Sequence, residues 1–436
     1  MLFFSKNTRT NKNRDFYYVT KHNLIYLTTM KAFKLALLLL IVSFPLNFNI
    51  ELAVSSSDGV SNYSTSKSVT YQVEINFTLT HLSGSNGDYL FKFSRLNDRQ
   101  PNSSLTQYSG PYQESELQYS SINGSDNDPF IYRDRFNNTY DIFNGTSLST
   151  NDTITLNQQY EVTLNEVSFN NVNTSEIGVY DTSDEMFSLY CNNSEVYYER
   201  DDVNINATSY SIVNPSDNPI VKAQKINDWV IDHLVYSDTL PAQEMGAKWA
   251  YDNQLGDCSE YSSLMVTLLR CQGIPARKVT GFVITDNPAI VPQVGQEWSF
   301  YTRSDGQYNL LRHAWLEYYV PNIGWIACDP TWDENGDYFN YIDYFHLNLN
   351  IGAWFSIPGL PDESEFPHPG IVYEVTSTFD YEYNLNLKVI RADTVIAEMI
   401  VIIVIVSIVG IVIIGVTLLI RSNRKKRKLH EQASNY

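Results

Sequence analysis

The chain has 436 residues, with 49 acidic and 30 basic side chains and a formal net charge of −19, and it is too long for one ordinary domain. The basic residues crowd both ends, so the stretch between them is more acidic than the whole. That field repels phosphate and argues against nucleic acid as a partner. Four cysteines, Cys191, Cys258, Cys271 and Cys328, are too few for a disulfide scaffold.

Residues 1–54 read as a signal region. Lys31 and Lys34 precede an apolar run from Leu35 to Phe44 that Pro45 breaks, too short to span a bilayer and suited to cleavage. Met30 stands directly before it as an alternative start. Residues 55–206 are rich in Asn, Ser, Thr and Tyr. Stretches such as Tyr71–Leu79 and Tyr160–Leu164 alternate at period two between turn residues, as in an antiparallel β-sandwich-like domain. Sequons fall at Asn62, Asn76, Asn102, Asn123, Asn137, Asn144, Asn151, Asn173, Asn192 and Asn206. They mark either a glycan-coated stalk or the accident of an Asn/Ser/Thr-rich composition.

A second domain is expected over residues 207–345. Turn signals at Asn214-Pro215 and Asn218-Pro219 precede Ala223, Ile226, Val230, Ile231 and Leu234 at helical spacing. Asp257 and Glu260 form a D-x-x-E capping box that starts a helix with Cys258 as its first residue. Tyr261, Leu264, Met265, Leu268 and Gln272 put one stripe below the cysteine, and Gly273 and Pro275 end the helix. Helix-start amides and the macrodipole favour a thiolate there.

Further on, alternation in His313–Val320 puts Leu316, Tyr318 and Val320 on one face. His313, Trp315 and Glu317 take the other, away from the apolar layer. Pro321-Asn322-Ile323-Gly324 turns the chain, and Trp325–Asp329 returns antiparallel. With Val320 opposite Gly324, turn parity places Asp329 on the His313 face and diagonal to it, within side-chain reach. Cys328 then points the other way, which argues against a Cys271 to Cys328 bridge and for buried thiols. Asp333, Glu334, Asn335 and Asp337 lack the glycine and spacing of a calcium loop and read as a solvated turn. No metal or cofactor motif is read.

Residues 346–394 hold several Pro and Gly and then an alternating stretch at Tyr381–Val389, expected as a membrane-proximal β or linker segment. Residues 395–420 suit one transmembrane helix, uncharged from Met399 to Ile420. Residues 421–436 form a basic tail that the positive-inside rule assigns to the cytoplasm, which leaves the bulk of the chain outside a cell membrane.

A reactive thiol needs a base and a group that holds the base in one tautomer. Of His81, His233, His313, His346 and His368, His313 has the best setting. Gly256-Asp257-Cys258, the Leu-Leu-Arg-x-x-Gly-Ile-Pro-Ala-Arg stretch ending at Arg277, His313-Ala314-Trp315, and Gly324-Trp325-Ile326 leading to Asp329-Pro330-Thr331-Trp332 resemble the transglutaminase-like superfamily, over about residues 220–335. The core of that family is related to papain-like cysteine proteases. The resemblance implies an α+β fold in which a catalytic helix packs on an antiparallel sheet, preceded here by the sandwich-like domain and followed by one transmembrane helix.

By the same resemblance Cys258 is the nucleophile, His313 the general acid/base and Asp329 its orienting partner. Cys271 departs from the small apolar residue usual in the family, away from these three. The Cys258 N–H is one oxyanion donor. Gln254, Trp249 and Trp229 are weak candidates for the second, each better explained by packing or exposure. Arg277 is expected to pair with an internal carboxylate. The expected function is an extracellular, membrane-anchored cysteine enzyme that acts on protein or peptide amides through a thioester, by hydrolysis more than amine transfer. The alternative is a surface adhesion protein that keeps the fold without catalysis.

Overall fold

Val69, Tyr71, Val73, Ile75, Phe77 and Leu79 are all buried and alternate with polar residues, which makes one long strand the spine of the fold. The computed structural model describes residues 62–84, 88–101, 108–126, 130–192, 194–240, 244–287, 289–333, 338–352 and 377–433. The expected signal region, Met30, Asn102, Glu334, Asn335, Asp337, His368 and the Pro/Gly-rich part of 346–394 lie outside those residues.

In chain order the first elements are β1 (Ser64–Ser83), β2 (Tyr89–Ser94), β3 (Gln113–Ile122), β4 (Ser125–Asp126), β5 (Phe130–Arg133), β6 (Thr139–Gly145) and β7 (Thr153–Ser168). Then come α1 (Glu185–Tyr190), α2 (Val203–Ile212), α3 (Pro219–His233), β8 (Val235–Tyr236), α4 (Gly246–Asn253), β9 (Leu255–Gly256), α5 (Cys258–Cys271) and β10 (Ala276–Val283). The remainder is β11 (Glu297–Arg303), β12 (Arg312–Val320), β13 (Gly324–Cys328), α6 (Pro330–Asp333), β14 (Tyr341–Ile342), β15 (His346–Ile351), β16 (Thr378–Thr394) and α7 (Val395–Ala433).

A seven-stranded antiparallel sheet runs β11-β16-β1-β7-β3-β4, with β14 also on β7. Its apolar face packs on a small sheet, β2-β6-β5, and on the ends of β10 and β15. Phe77 meets Phe93 at 5.1 Å between ring centroids, and Phe282, Ile284 and Leu347 join the same core. Sheet-on-sheet packing is therefore present, but the expected boundaries at 206 and 345 are crossed. β1 pairs with β7 on one side and with β16 on the other, and β11, from within 207–345, closes the edge on β16. Alternation identifies a strand without naming its partner, so these long-range pairings had no local signal.

A second sheet, β13-β12-β10-β15, supports the site. One face carries Leu316, Tyr318 and Val320 into an apolar core with α5, around which α2, α3 and α4 gather. The opposite face, expected to look away from the apolar layer, is buried too. Arg99 and Arg277 both pair with fully buried Glu317, at 2.5 and 2.7 Å, and the Tyr112 hydroxyl donates to the Trp325 carbonyl at 2.7 Å. Arg99 and Tyr112 thus belong to a second cover, and Glu317 is the internal carboxylate expected for Arg277. Asn123, Asn137 and Asn151 sit exposed at left-handed turn positions, φ 50°, 66° and 71°, which asparagine tolerates and which accounts for part of the asparagine content. The last residue of β16, Thr394, is followed directly by α7. Its stretch Ser407–Lys425 is long and apolar enough to cross a membrane.

Candidate active site

The helix that carries Cys258 begins where the sequence places it. The Asp257 carboxylate accepts from Ser259 N at 2.8 Å, and Glu260 Oε2 accepts from Asp257 N at 3.1 Å, completing the capping box. Gly256 is required by contact, since a Cβ there would stand 2.6 Å from the Glu260 Cβ. Glu260 Oε1 also accepts from Met245 N at 2.9 Å, tying the loop before α4 to the helix start. Burial first, then Asp257 and Glu244, push the Glu260 carboxyl up to about 8. Residues 259–271 are buried, whereas Cys258 itself is half-buried, so the one accessible position of the helix is the cysteine.

His313 is the second residue of β12 and is 7% exposed. Its Nε2 lies 2.5 Å from Asp329 Oδ2, and the same imidazole shares a hydrogen bond with the Cys258 thiol. With Nε2 committed to the carboxylate, Nδ1 is the atom left to exchange a proton with sulfur. The register is the one that turn parity requires, with Val320 opposite Gly324 and Leu316 opposite Cys328. Asp329 follows β13 and caps α6. Its Oδ1 accepts from Thr331 N at 3.1 Å, from the Thr331 hydroxyl at 2.6 Å and from Trp332 N at 3.3 Å. Those bonds fix the carboxylate and leave Oδ2 for the histidine. Burial alone would lower His313, but Asp329 outweighs it and raises the imidazole to about 9. Burial likewise raises Asp329, yet His313 and His346 hold it well below the usual carboxylate range.

Three features near these residues had no signal in the sequence. His346, considered there only as one of several histidines, opens β15 with its Nε2 3.3 Å from Asp329 Oδ2 and its Nδ1 2.6 Å from Asp343 Oδ1. Asp343 also accepts from the Tyr338 hydroxyl at 2.7 Å and from Phe345 N at 2.9 Å. Tyr236, about half exposed, pairs with Gly256 across the parallel β8–β9 bridge and forms a rim beside the cysteine. Burial, then the charges of Cys258 and Asp257, push its phenol well up. The donor atoms of His313, Asp329 and His346 lie within 4.8 Å of one another, close enough to hold a metal. Each is engaged in the hydrogen bonds just described, and proton handling is the simpler reading.

Of the residues weighed as a second oxyanion donor, Trp249 accepts at its backbone carbonyl from Asn253 Nδ2 at 2.8 Å. Trp229 stacks on His233 at 4.2 Å, and Gln254 is the exposed left-handed end of α4, φ 54°. All four cysteines carry free thiols. Cys271 turns to the Arg200 carbonyl at 3.4 Å and Cys328 to Asn227 Oδ1 at 3.4 Å, so the bridge weighed between them is absent.

The fold and this site define a transglutaminase-like core. The model of the transglutaminase-like superfamily matches residues 206–330, so that segment is a domain of this superfamily. Among curated proteins, a protein-glutamine gamma-glutamyltransferase of Pseudomonas aeruginosa is 33% identical over 110 residues, 23% of this chain and 14% of that protein. The uncharacterized protein YebA of Bacillus subtilis is 26% identical over 133 residues, 29% of this chain and 17% of that protein. The chain thus spans less than a fifth of the length of either. Among solved structures, a candidate cysteine protease of Cytophaga hutchinsonii aligns at 14% identity and a TM-score of 0.46, covering 76% of this chain and 94% of that one. The periplasmic domain of TgpA from Pseudomonas aeruginosa aligns at 16% identity and a TM-score of 0.29, covering 64% of this chain and 98% of that one.

Proposed function

We propose that the chain is a membrane-anchored cysteine enzyme, its active site outside the cell, that acts on protein or peptide amides through a thioester on Cys258. The observation that carries this reading is the position of His313, hydrogen-bonded at once to Cys258 and to Asp329. His313 takes the thiol proton and the sulfur attacks the amide carbonyl. The Cys258 N–H at the helix start supports the oxyanion, and imidazolium Nδ1–H then protonates the departing amine. Asp329 holds the ring in that tautomer throughout. Water activated by His313 resolves the thioester to a carboxylic acid and regenerates the thiol, whereas a primary amine resolves it to a new amide.

Hydrolysis is favoured. The binding-protein reading stands as the alternative, in which the same fold presents a surface without turnover. Support for the membrane anchor comes from α7, apolar over Ser407–Lys425 and followed by Lys426, Arg427 and Lys428. The deciding experiment incubates the full chain in detergent with a glutamine-containing protein and a labelled primary amine, with product acids followed by mass spectrometry. Loss of both label incorporation and deamidated or cleaved product in Cys258→Ala supports the enzyme. Equal turnover by wild type and Cys258→Ala, or none by either across a panel of proteins, sinks it.

A further inference from the structure

The carboxylate that orients His313 is itself held from behind. His346 Nε2 reaches Asp329 Oδ2 at 3.3 Å, the very oxygen that His313 Nε2 occupies at 2.5 Å, and His346 Nδ1 is fixed by Asp343 Oδ1 at 2.6 Å. His346 is fully buried, walled by Trp315 at 5.1 Å and Trp332 at 4.9 Å, with the His313 ring 5.5 Å away. We propose that Asp343 and His346 are positioning residues that limit how strongly Asp329 holds the His313 proton, and so tune His313 as a general acid. This deepens the reaction proposed above and rests on it.

The physical reason is competition for one oxygen. Two donors share Oδ2, so each receives less of its charge than a sole donor would. The charged and titratable groups that face His346 are Asp343 and Asp329 as acids, His313 as a like-charged neighbour, and the Tyr338 phenol, whose ring lies 5.9 Å away. Burial would favour a neutral His346, but Asp343 and then Asp329 outweigh it and raise the ring to about 9, which keeps it cationic at neutral pH. Taking that cation away frees Oδ2 for His313 and removes a like charge from beside it. Both changes make His313 more basic and a poorer proton donor to the leaving amine.

The test is the pH dependence of Cys258 alkylation by iodoacetamide in the full chain, read by peptide mass spectrometry, for wild type, His346→Gln and Asp343→Asn. In wild type the rate has an upper inflection that reports His313 losing its proton. In both variants that inflection is expected to move up by about one pH unit, with amide turnover at pH 7 lower by about tenfold. A purely structural role would lower the melting temperature and the rate at every pH while leaving the inflection in place. Folded variants with an unmoved inflection overturn the proposal. If neither variant folds, imidazole nitrogen shifts of the wild-type chain decide it, and a neutral His346 at pH 7 overturns it. Failure of the underlying reaction looks different: wild-type Cys258 would then alkylate no faster than Cys271 and show no upper inflection.

Discussion

Lys278 Nζ lies 2.7 Å from Glu244 Oε2 with neither side chain exposed, directly against the first turns of α5. The Ser259 and Ser263 hydroxyls donate to the same carboxylate at 2.6 and 2.9 Å, so the ion pair staples the strand β10 and the segment before α4 to the helix that carries the cysteine. A paired charge in such a place is tolerated, whereas a single one is costly. Lys278→Met is expected to lower unfolding stability by about 3–5 kcal/mol in urea titrations. Lys278→Met with Glu244→Leu should recover much of that loss, because no lone charge stays buried. A double variant as unstable as the single one would refute this account.

Gly281 in β10 is a place where the sheet allows no side chain. A Cβ there would stand 1.9 Å from the Leu347 carbonyl oxygen, a backbone atom beside His346, at the register shift between β10 and β15. Gly281→Ala should cost at least about 2 kcal/mol and displace β15, seen as lost amide protection over 346–351 in hydrogen exchange. Unchanged protection would mean that the strand pair absorbs the methyl group.

For Asp329→Asn the expected loss of turnover in the proposed reaction is about a thousandfold or more. An amide NH₂ at the Oδ2 position cannot accept from His313 Nε2–H. The ring then takes the other tautomer and presents N–H, with no lone pair, to the thiol. The asparagine oxygen still accepts from Thr331 and Trp332, but its NH₂ faces both His313 and His346, so the melting temperature should fall as well, and turnover is compared at a temperature where both proteins are folded. A variant within tenfold of wild-type turnover would remove Asp329 from the mechanism.

The site also sets a pH optimum for stability. His313 and His346 stand near 9 in the folded chain against 6.5 for a free imidazole, so their contribution is complete below 6.5 and fades as pH rises through 9. Glu260, raised from 4.5 to about 8, acts in the same direction, since its preference for the protonated form is lost across that interval. Asp329 and Asp343 are lowered, so their contribution is present above 3.8 and disappears only in strong acid. Thermal melts at constant ionic strength should therefore peak on the acid side of neutrality and fall by roughly 5 °C or more at pH 9. A melting temperature that is flat or rising from pH 6 to 9 would contradict these assignments.

The parts of the site that were legible in the sequence are those decided within a few residues. Asp257 and Glu260 announce a helix start, and a three-residue turn between Val320 and Gly324 fixes the parity that carries Asp329 toward His313. His346 and Asp343 were illegible as partners of Asp329 because β15 reaches the site through a non-local pairing with β10 that includes a register shift. The same limit explains the sheet of β1, β7 and β16. Each strand is plain in its alternation, but nothing local states that residues 64–83 will lie between 153–168 and 378–394. The two-sided burial of β12 followed from that, since Arg99 and Tyr112, which cover its second face, belong to the earlier part of the chain.

The direct passage from β16 into α7 has a mechanical consequence. Thr394 still pairs with Lys67, and the next residue begins the helix, so no slack separates the two. A pull on α7 is thus delivered to the end of a ladder that runs from Lys67 opposite Thr394 to Ser83 opposite Thr378. Loaded along the strands, such a ladder resists in shear, with many hydrogen bonds sharing the force rather than parting one at a time. Strand β16 is in this sense a tether, braced along its length by β1 so that the sheet stays intact when α7 is tugged.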